Sequence, residues 1–492
     1  MEAAATMPLW IVITHFINLF CIILLIRSGL QILNDHPMLY WTDHTRRDNY
    51  WIKFGKKKMP KDKIWTAHDE AERIGHYAMP GGGHERFGAG RNWHFATAII
   101  WIITGLVYYT YMFFTGEWRR LIPTDWSVFP NAVNDFVNYI TLNIPPESAF
   151  NPYDSLQQLT YAGVVFILAP IMILTALAMS PAFTNRFPKF MLLFGGRRQV
   201  ARSIHFLGMI GFSIFIIIHV VLVALVYFGR NVKLITFGTT DVNITAALIV
   251  FVSALLFLLV FNVIATYVTL RHGVGVRRVL VAIMNPVIHG LFGRLTPRKT
   301  YKKEDVSEFF RINGYPPETA EFQKLTAGSY KDWRLKVGGM VENELSLSLD
   351  EIKAMPYQDQ ITKHICIQGW SAIGQWGGVH MSEIIKRANP SKKAKYVVFH
   401  AYDVDASGKP FYEALRISDM KDDQTILAYE MNWKPLTIEH GAPLRLRCER
   451  KLGYKMVKYI KSIEFVDDFK HIGEGRGGYR EDNVLFDWEA SI

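Results

Sequence analysis

The sequence predicts two folds in one chain: an all-α membrane bundle of five transmembrane helices, then a β-rich α+β domain. Three observations predict it. Five apolar runs, at about 8–33, 92–115, 158–180, 204–228 and 245–270, are each long enough to cross a hydrocarbon core of ~30 Å. The segments joining them alternate sharply in basic charge. After about residue 300 the long apolar runs give way to short alternating stretches divided by turn residues.

The charge alternation also orients the bundle. Residues 35–91 carry eleven Lys and Arg, 181–202 carry five and 271–303 carry eight. Residues 116–154 and 229–244 carry two each, and the N-terminal tail carries none. Basic segments favour the cytoplasm, so the N-terminus is expected outside and everything after span five inside. The N-terminus has neither a basic n-region nor a twin arginine, so a cleaved signal is not expected. The formal net charge of +11 is explained by these membrane-flanking clusters, and nucleic acid is not an expected partner. Residues 274–293 are apolar with basic flanks, but Pro286 argues for an interfacial helix rather than a sixth span.

Span four carries His205 and His219 in SIHFLGMIGFSIFIIIHVVLVALVYF. Ionisable residues inside a membrane are costly and mark function. Fourteen residues of helix rise about 21 Å through nearly four whole turns, so both imidazoles point the same way at two depths. Two stacked haems need this arrangement, each iron taking a second imidazole at the same depth. Depth matching pairs His94 of span two with His205, and His15 of span one with His219. His36, His44, His68, His76 and His84 fit no metal spacing and read as loop residues, and Gly81, Gly82 and Gly83 as a turn.

RSGLQILNDHPMLYW, GRNWHF, NPYDSLQQLTYAG and the histidines of span four resemble the bacterial cytochrome b561-type membrane subunits over about residues 8–230. The resemblance implies two b haems ligated by His15, His94, His205 and His219. It leaves Arg27 and Arg91 open between haem propionates and the membrane surface.

In the second half, WRLKVGG, KYVVFHAYD, LRLRCER and KYIKSIEFV read as strands, and SLDEIKAMP and MSEIIKRANP as short helices. The three cysteines, Cys21, Cys366 and Cys448, have no zinc spacing and no disulfide framework is expected. Cys366 stands at the end of a strand in ITKHICIQGWSAIGQWGGV, where core packing, nucleophile and metal ligand are all open. Arg445, Arg447, Arg450, Lys451, Lys455 and Lys458 crowd into fourteen residues. They fit either a solvated face or an anionic, phosphorylated cofactor, which Gly441 and Gly453 would let the backbone approach.

ICIQGWSAIGQW, TILAYEMNWKPLTIEHGAPLRLR and LGYKMVKYIKSIEF together resemble the molybdopterin domain of the sulfite oxidase family, from about 308 to 468. The resemblance implies a sulfite oxidase-type fold in which Cys366 ligates a molybdenum–molybdopterin. It implies that His440 and Arg445 contact the pterin phosphate, with Lys455, Lys458 and Asn313 also among the cofactor contacts. Sulfite oxidases place an arginine directly before the asparagine; here Ile312 stands there and Arg311 is one position earlier, which argues against sulfite as substrate. The match stops about 24 residues before the end, so the dimerisation domain of animal sulfite oxidases is not expected.

The expected organisation is therefore a di-haem domain at 1–270, an interfacial helix and linker at 271–307, a molybdopterin domain at 308–470 and a tail at 471–492. The expected function is a multi-pass oxidoreductase of the bacterial inner membrane. It would transfer an oxygen atom to or from a small molecule and exchange electrons, through its haems, with quinone or another redox partner. A homo-oligomer is compatible with it. Two other readings stand beside it: an electron conduit or sensor without turnover, and a haem-only carrier with a docking module.

Overall fold

The computed structural model describes the chain except residues 1–5, 61, 73–74, 80–87, 145, 147–152, 293–300, 406–407 and 483–492. The run at Gly81, Gly82 and Gly83, His84 and the end of the expected tail lie outside the described residues. Two compact units interleave along the sequence. The first gathers Met1–Gly29, Trp93–Met179 and Ala201–Arg271; the second gathers Leu30–Asn92, Ser180–Val200 and His272–Ile492. The last stretch of the first unit ends at Arg271, and His272–Ile492 belongs to the second throughout. Two segments that connect spans belong to the second unit, because their polar side chains bond there.

Five helices are long and apolar enough to cross a membrane: Leu9–Asp35, Ala89–Thr115, Ser155–Met179, Arg198–Leu225 and Ile244–Arg271, here spans one to five. Span four ends at Leu225, short of the expected 228, because Tyr227 adopts a left-handed φ of 49° and starts a separate helix, Phe228–Phe237. Span three widens into a π-helical stretch at Gly163–Leu168, and the Val165 carbonyl accepts from the Tyr109 hydroxyl of span two. Span four comes close to span three at Gly208, where any Cβ would collide with Met172. Arg27, read as a partner for propionates or the membrane surface, ties span one to span five. It donates to Asn262 Oδ1 at 2.8 Å and Thr266 Oγ1 at 2.9 Å. An amphipathic helix that the sequence reading passed over, Val128–Ile140, exposes Phe129, Val133, Phe136, Val137 and Ile140 at helical spacing.

The second unit is built on two five-stranded sheets. In chain order the strands are β1 (Leu335–Gly339), β2 (Leu345–Leu347), β3 (Tyr357–Ile365), β4 (Ser371–His380) and β5 (Tyr396–Val404). They continue with β6 (Pro410–Arg416), β7 (Thr425–Met431), β8 (Lys434–Pro435), β9 (Arg445–Cys448) and β10 (Ile460–Val466). One sheet runs β2-β1-β10-β5-β6, with β10 and β1 parallel; the other runs β8-β7-β4-β3, with β9 also on β7. Trp333, Val337, Phe399, Leu427, Leu446 and Phe465 bury their apolar faces in one shared core. Of the two expected helices, Leu349–Lys353 is capped by Ser348 and Met381–Ala388 by His380. The apolar stretch with Pro286 forms the helix Gly273–Phe292.

A buried charge cluster ties the first connecting segment to the stretch that precedes the sheets. Arg311 Nε meets Glu70 Oε2 at 2.7 Å, with both side chains 1% exposed. Arg311 also donates to the Tyr40 hydroxyl at 2.8 Å and to Thr45, while Arg47 takes the other Glu70 oxygen at 2.6 Å. The arginine nearest the sulfite oxidase anion position is thus committed to Glu70. Removing one member of such a buried pair strands the other and costs about 3–5 kcal/mol, whereas an apolar replacement of the pair is often neutral. Glu70→Leu is therefore expected to lower the melting temperature of the second unit clearly. Adding Arg311→Met should recover most of that loss in the same thermal melt.

Candidate functional site

In the first unit, the structure brings His15 to His219 and His94 to His205, with ring centroids 6.3 and 6.2 Å apart. Two imidazoles on one iron, with bonds of about 2 Å, stand about 6 Å apart between centroids. The spacing of both pairs therefore fits a haem iron. The rings are also oriented. Ser28 Oγ lies 3.0 Å from His94 Nδ1, and Thr175 Oγ1 lies 2.9 Å from His205 Nδ1. A partner on Nδ1 fixes the tautomer and leaves Nε2 to ligate. His219 stacks on Phe215 at 5.5 Å and meets the edge of Tyr161.

In the second unit, Cys366 opens the five-residue loop between the antiparallel strands β3 and β4. Its N–H donates to Trp370 O at 3.0 Å, and Gly369 N returns to Cys366 O at 3.1 Å. The turn needs φ 98° at Gly369, which favours glycine. The thiol is buried against Asn313 Oδ1 at 3.8 Å and Gln368 Oε1 at 3.7 Å. Burial pushes it up to about 12, so it is a neutral thiol until a cation displaces its proton. His364, two residues earlier on β3, accepts from Arg447 at Nδ1 over 2.9 Å and lies 3.4 Å from the Asn313 amide.

The six clustered cations separate into two groups. Arg447 forms a bidentate pair with Glu449, Arg450 and Lys451 face Asp419, and Lys455 is enclosed by acceptors. Lys455, expected among the cofactor contacts, donates instead to Glu413 at 2.6 Å, Glu481 at 2.5 Å and the Gly477 carbonyl at 3.1 Å. Its three protons are thereby directed at protein oxygens. Arg445 and Lys458 differ. Arg445 donates to His440 O at 2.8 Å, and Lys458 to Glu439 O at 2.9 Å. Among the described residues neither has a carboxylate within 4 Å, and Arg445 Nε has no hydrogen-bond partner.

Burial and mutual repulsion show in these groups. Arg445 is held down to about 9, by burial and then by Arg447. Lys458 falls to about 7, by burial and then by Arg445; His440 falls to about 4 for the same two reasons. Nearby, Trp370 Nε1, Trp376 Nε1 and Ser371 Oγ are buried donors without partners among the described residues. Arg445 and Arg447 stack on the Trp376 ring at 4.8 and 4.2 Å. Buried cations and donors of this kind call for an anion. A phosphorylated pterin with a soft, thiolate-binding metal matches that demand and the Cys366 thiol together.

A Cβ on Gly453 would strike the His364 ring, and one on Gly441 would press on Lys458. His364 was passed over by the sequence reading. Its signal was present: it stands near the end of the strand that leads into Cys366, two residues before it.

Two family models match successive parts of the chain. Residues 6–240 match the family model of prokaryotic cytochrome b561, and residues 323–471 that of the oxidoreductase molybdopterin binding domain. A putative protein-methionine-sulfoxide reductase subunit YedZ1 of Azospira oryzae is 33% identical over 37% of this chain and 63% of its own length. The protein-methionine-sulfoxide reductase catalytic subunit MsrP of Xanthomonas axonopodis pv. citri is 34% identical over 36% of this chain and 58% of its own. The uncharacterised oxidoreductase YuiH of Bacillus subtilis is 32% identical over 35% of this chain and 89% of its own. The chain thus spans about three fifths of the length of the first two relatives.

Lys458 supplies a pH test. In protein prepared without the cofactor, the folded state binds fewer protons than the unfolded chain between pH about 7 and about 10, so stability should rise with pH across that window. Chemical denaturation from pH 7 to 9 should show the rise, and Lys458→Met should flatten it. A slope unchanged in that variant would contradict the assignment.

Proposed function

Because the chain belongs to the molybdopterin-binding oxidoreductases, joined here to a prokaryotic cytochrome b561 domain, we propose that it is a membrane-bound molybdenum enzyme for oxygen-atom transfer. The observation that carries the reading is the buried Cys366 thiol in a unit that also holds a buried Arg445 and a half-buried Lys458, neither with a carboxylate partner among the described residues. The names of two relatives point to a sulfoxide, methionine sulfoxide above all, as substrate. The reaction consumes two electrons and two protons: the S–O bond breaks, and sulfide and water leave. The electrons come from a quinol or an equivalent redox partner.

Each residue then has a task. Cys366 would hold the metal as a thiolate, and Arg445, Lys458, His440 and Asn313 would hold the pterin. When bound, the molybdenum supplies two-electron oxygen-atom chemistry. Arg447 fixes the orientation of His364 beside Asn313. His15 with His219, and His94 with His205, would each hold one b haem, giving two single-electron carriers. The basic connecting segments support a bacterial inner-membrane protein with the second unit in the cytoplasm and the N-terminus outside. A reporter fused after Ile492 should be active only in its cytoplasmic form.

Metal and haem analysis of purified enzyme should give about one molybdenum and about two b haems per chain. Cys366→Ala should abolish reoxidation of the reduced enzyme by methionine sulfoxide while keeping both haem spectra. Turnover surviving in that variant would remove the molybdenum mechanism. His94→Ala and His15→Ala should each remove one haem signal and spare the other.

A further inference from the structure

The loop that presents Cys366 is gripped on both sides by residues from the segments that connect spans. Before the cysteine, Lys363 of β3 pairs with Asp43 at 2.7 Å. After it, Gln368 Nε2 donates to Ala67 O at 3.0 Å. Gly369 O accepts from Arg198 Nη1 at 2.7 Å and from Gln199 Nε2 at 3.5 Å. Arg198 and Gln199 form the first turn of the span-four helix, and Asp43 Oδ1 accepts from Gln199 N at 2.9 Å. One carboxylate, Asp43, therefore joins that turn to the strand leading into Cys366.

We propose that Arg198 is a positioning residue of the molybdenum site. It fixes the Gly369 carbonyl, and through it the turn from Cys366 to Trp370. It also sets a positive charge within electrostatic reach of Cys366. Charge and geometry act separately. A fixed cation favours the more negative, reduced state of the centre and raises its reduction potential. The anchored carbonyl gives the sulfur one orientation, since Cys366 N and O are both bonded inside the same turn. The inference rests on the reading of Cys366 as the metal ligand.

The test uses full-length purified enzyme and three substitutions at one position. Arg198→Gln removes the charge and keeps an N–H donor, Arg198→Met removes both, and Arg198→Lys keeps the charge. Molybdenum content, the Mo(V) paramagnetic spectrum and its midpoint potential are measured, with both haem spectra as a check on folding. Arg198→Gln should lower the molybdenum potential with little change in line shape. Arg198→Met should lower it and broaden or split the Mo(V) signal, and Arg198→Lys should restore the potential. Arg46→Gln, at an exposed pair with Asp48, should match the parent in all of these. Parental potential and spectrum in both Arg198→Gln and Arg198→Met, with molybdenum bound, would overturn the inference. A parent enzyme without molybdenum, or molybdenum kept in Cys366→Ala, would instead overturn the ligand assignment beneath it.

Discussion

Positive charge buried without a carboxylate partner is the constraint around which the second unit is arranged. Among the described residues, the buried Arg445 and the half-buried Lys458 have only neutral acceptors. In an apolar interior that costs several kcal/mol per ion unless an opposite charge arrives. The neighbouring cations show the contrast, because Arg447, Lys451 and Lys455 each have a carboxylate at 3.3 Å or closer. The proposed anionic cofactor would supply the charge that these two lack. Burial separately keeps the Cys366 thiol neutral in the absence of metal.

Connectivity follows from a related constraint. A chain that crosses a membrane returns to the same side after every second span. The segments after spans one, three and five are the ones that the second unit gathers. They are gathered by specific bonds. Glu70 takes Arg311, Asp43 takes Lys363, and the first turn of span four takes Gly369. Several of these contacts converge on the Cys366 turn, so the connecting segments contribute to the candidate site as well as to membrane topology.

Much of this was legible in the sequence, and the illegible part has a common cause. The five spans follow from length and hydropathy, which are local. The pairs chosen by matching helix depth, His94 with His205 and His15 with His219, are the pairs that the structure brings together, because helical rise is a fixed ruler. Cys366 leaves a strand as its alternating pattern implied. What could not be read was which charges cancel. Arg311 and Glu70 are 241 residues apart, and Lys455 meets Glu413 and Glu481 across turns of unrelated sequence. Six cations in one stretch look alike until their partners are known. The helix Val128–Ile140 was missed for a different reason: charge was counted there, and the apolar spacing was not.

The central claim is that one chain joins oxygen-atom transfer to haem oxidation. The most direct measurement is a single-turnover mixing experiment in purified membranes, following the haem absorbance of quinol-reduced enzyme as methionine sulfoxide is added under anaerobic conditions. The account predicts haem oxidation that tracks sulfide formation at two electrons per molecule and stops when the sulfoxide is consumed. Haems that stay reduced while sulfide forms, or that oxidise without sulfide, would contradict it.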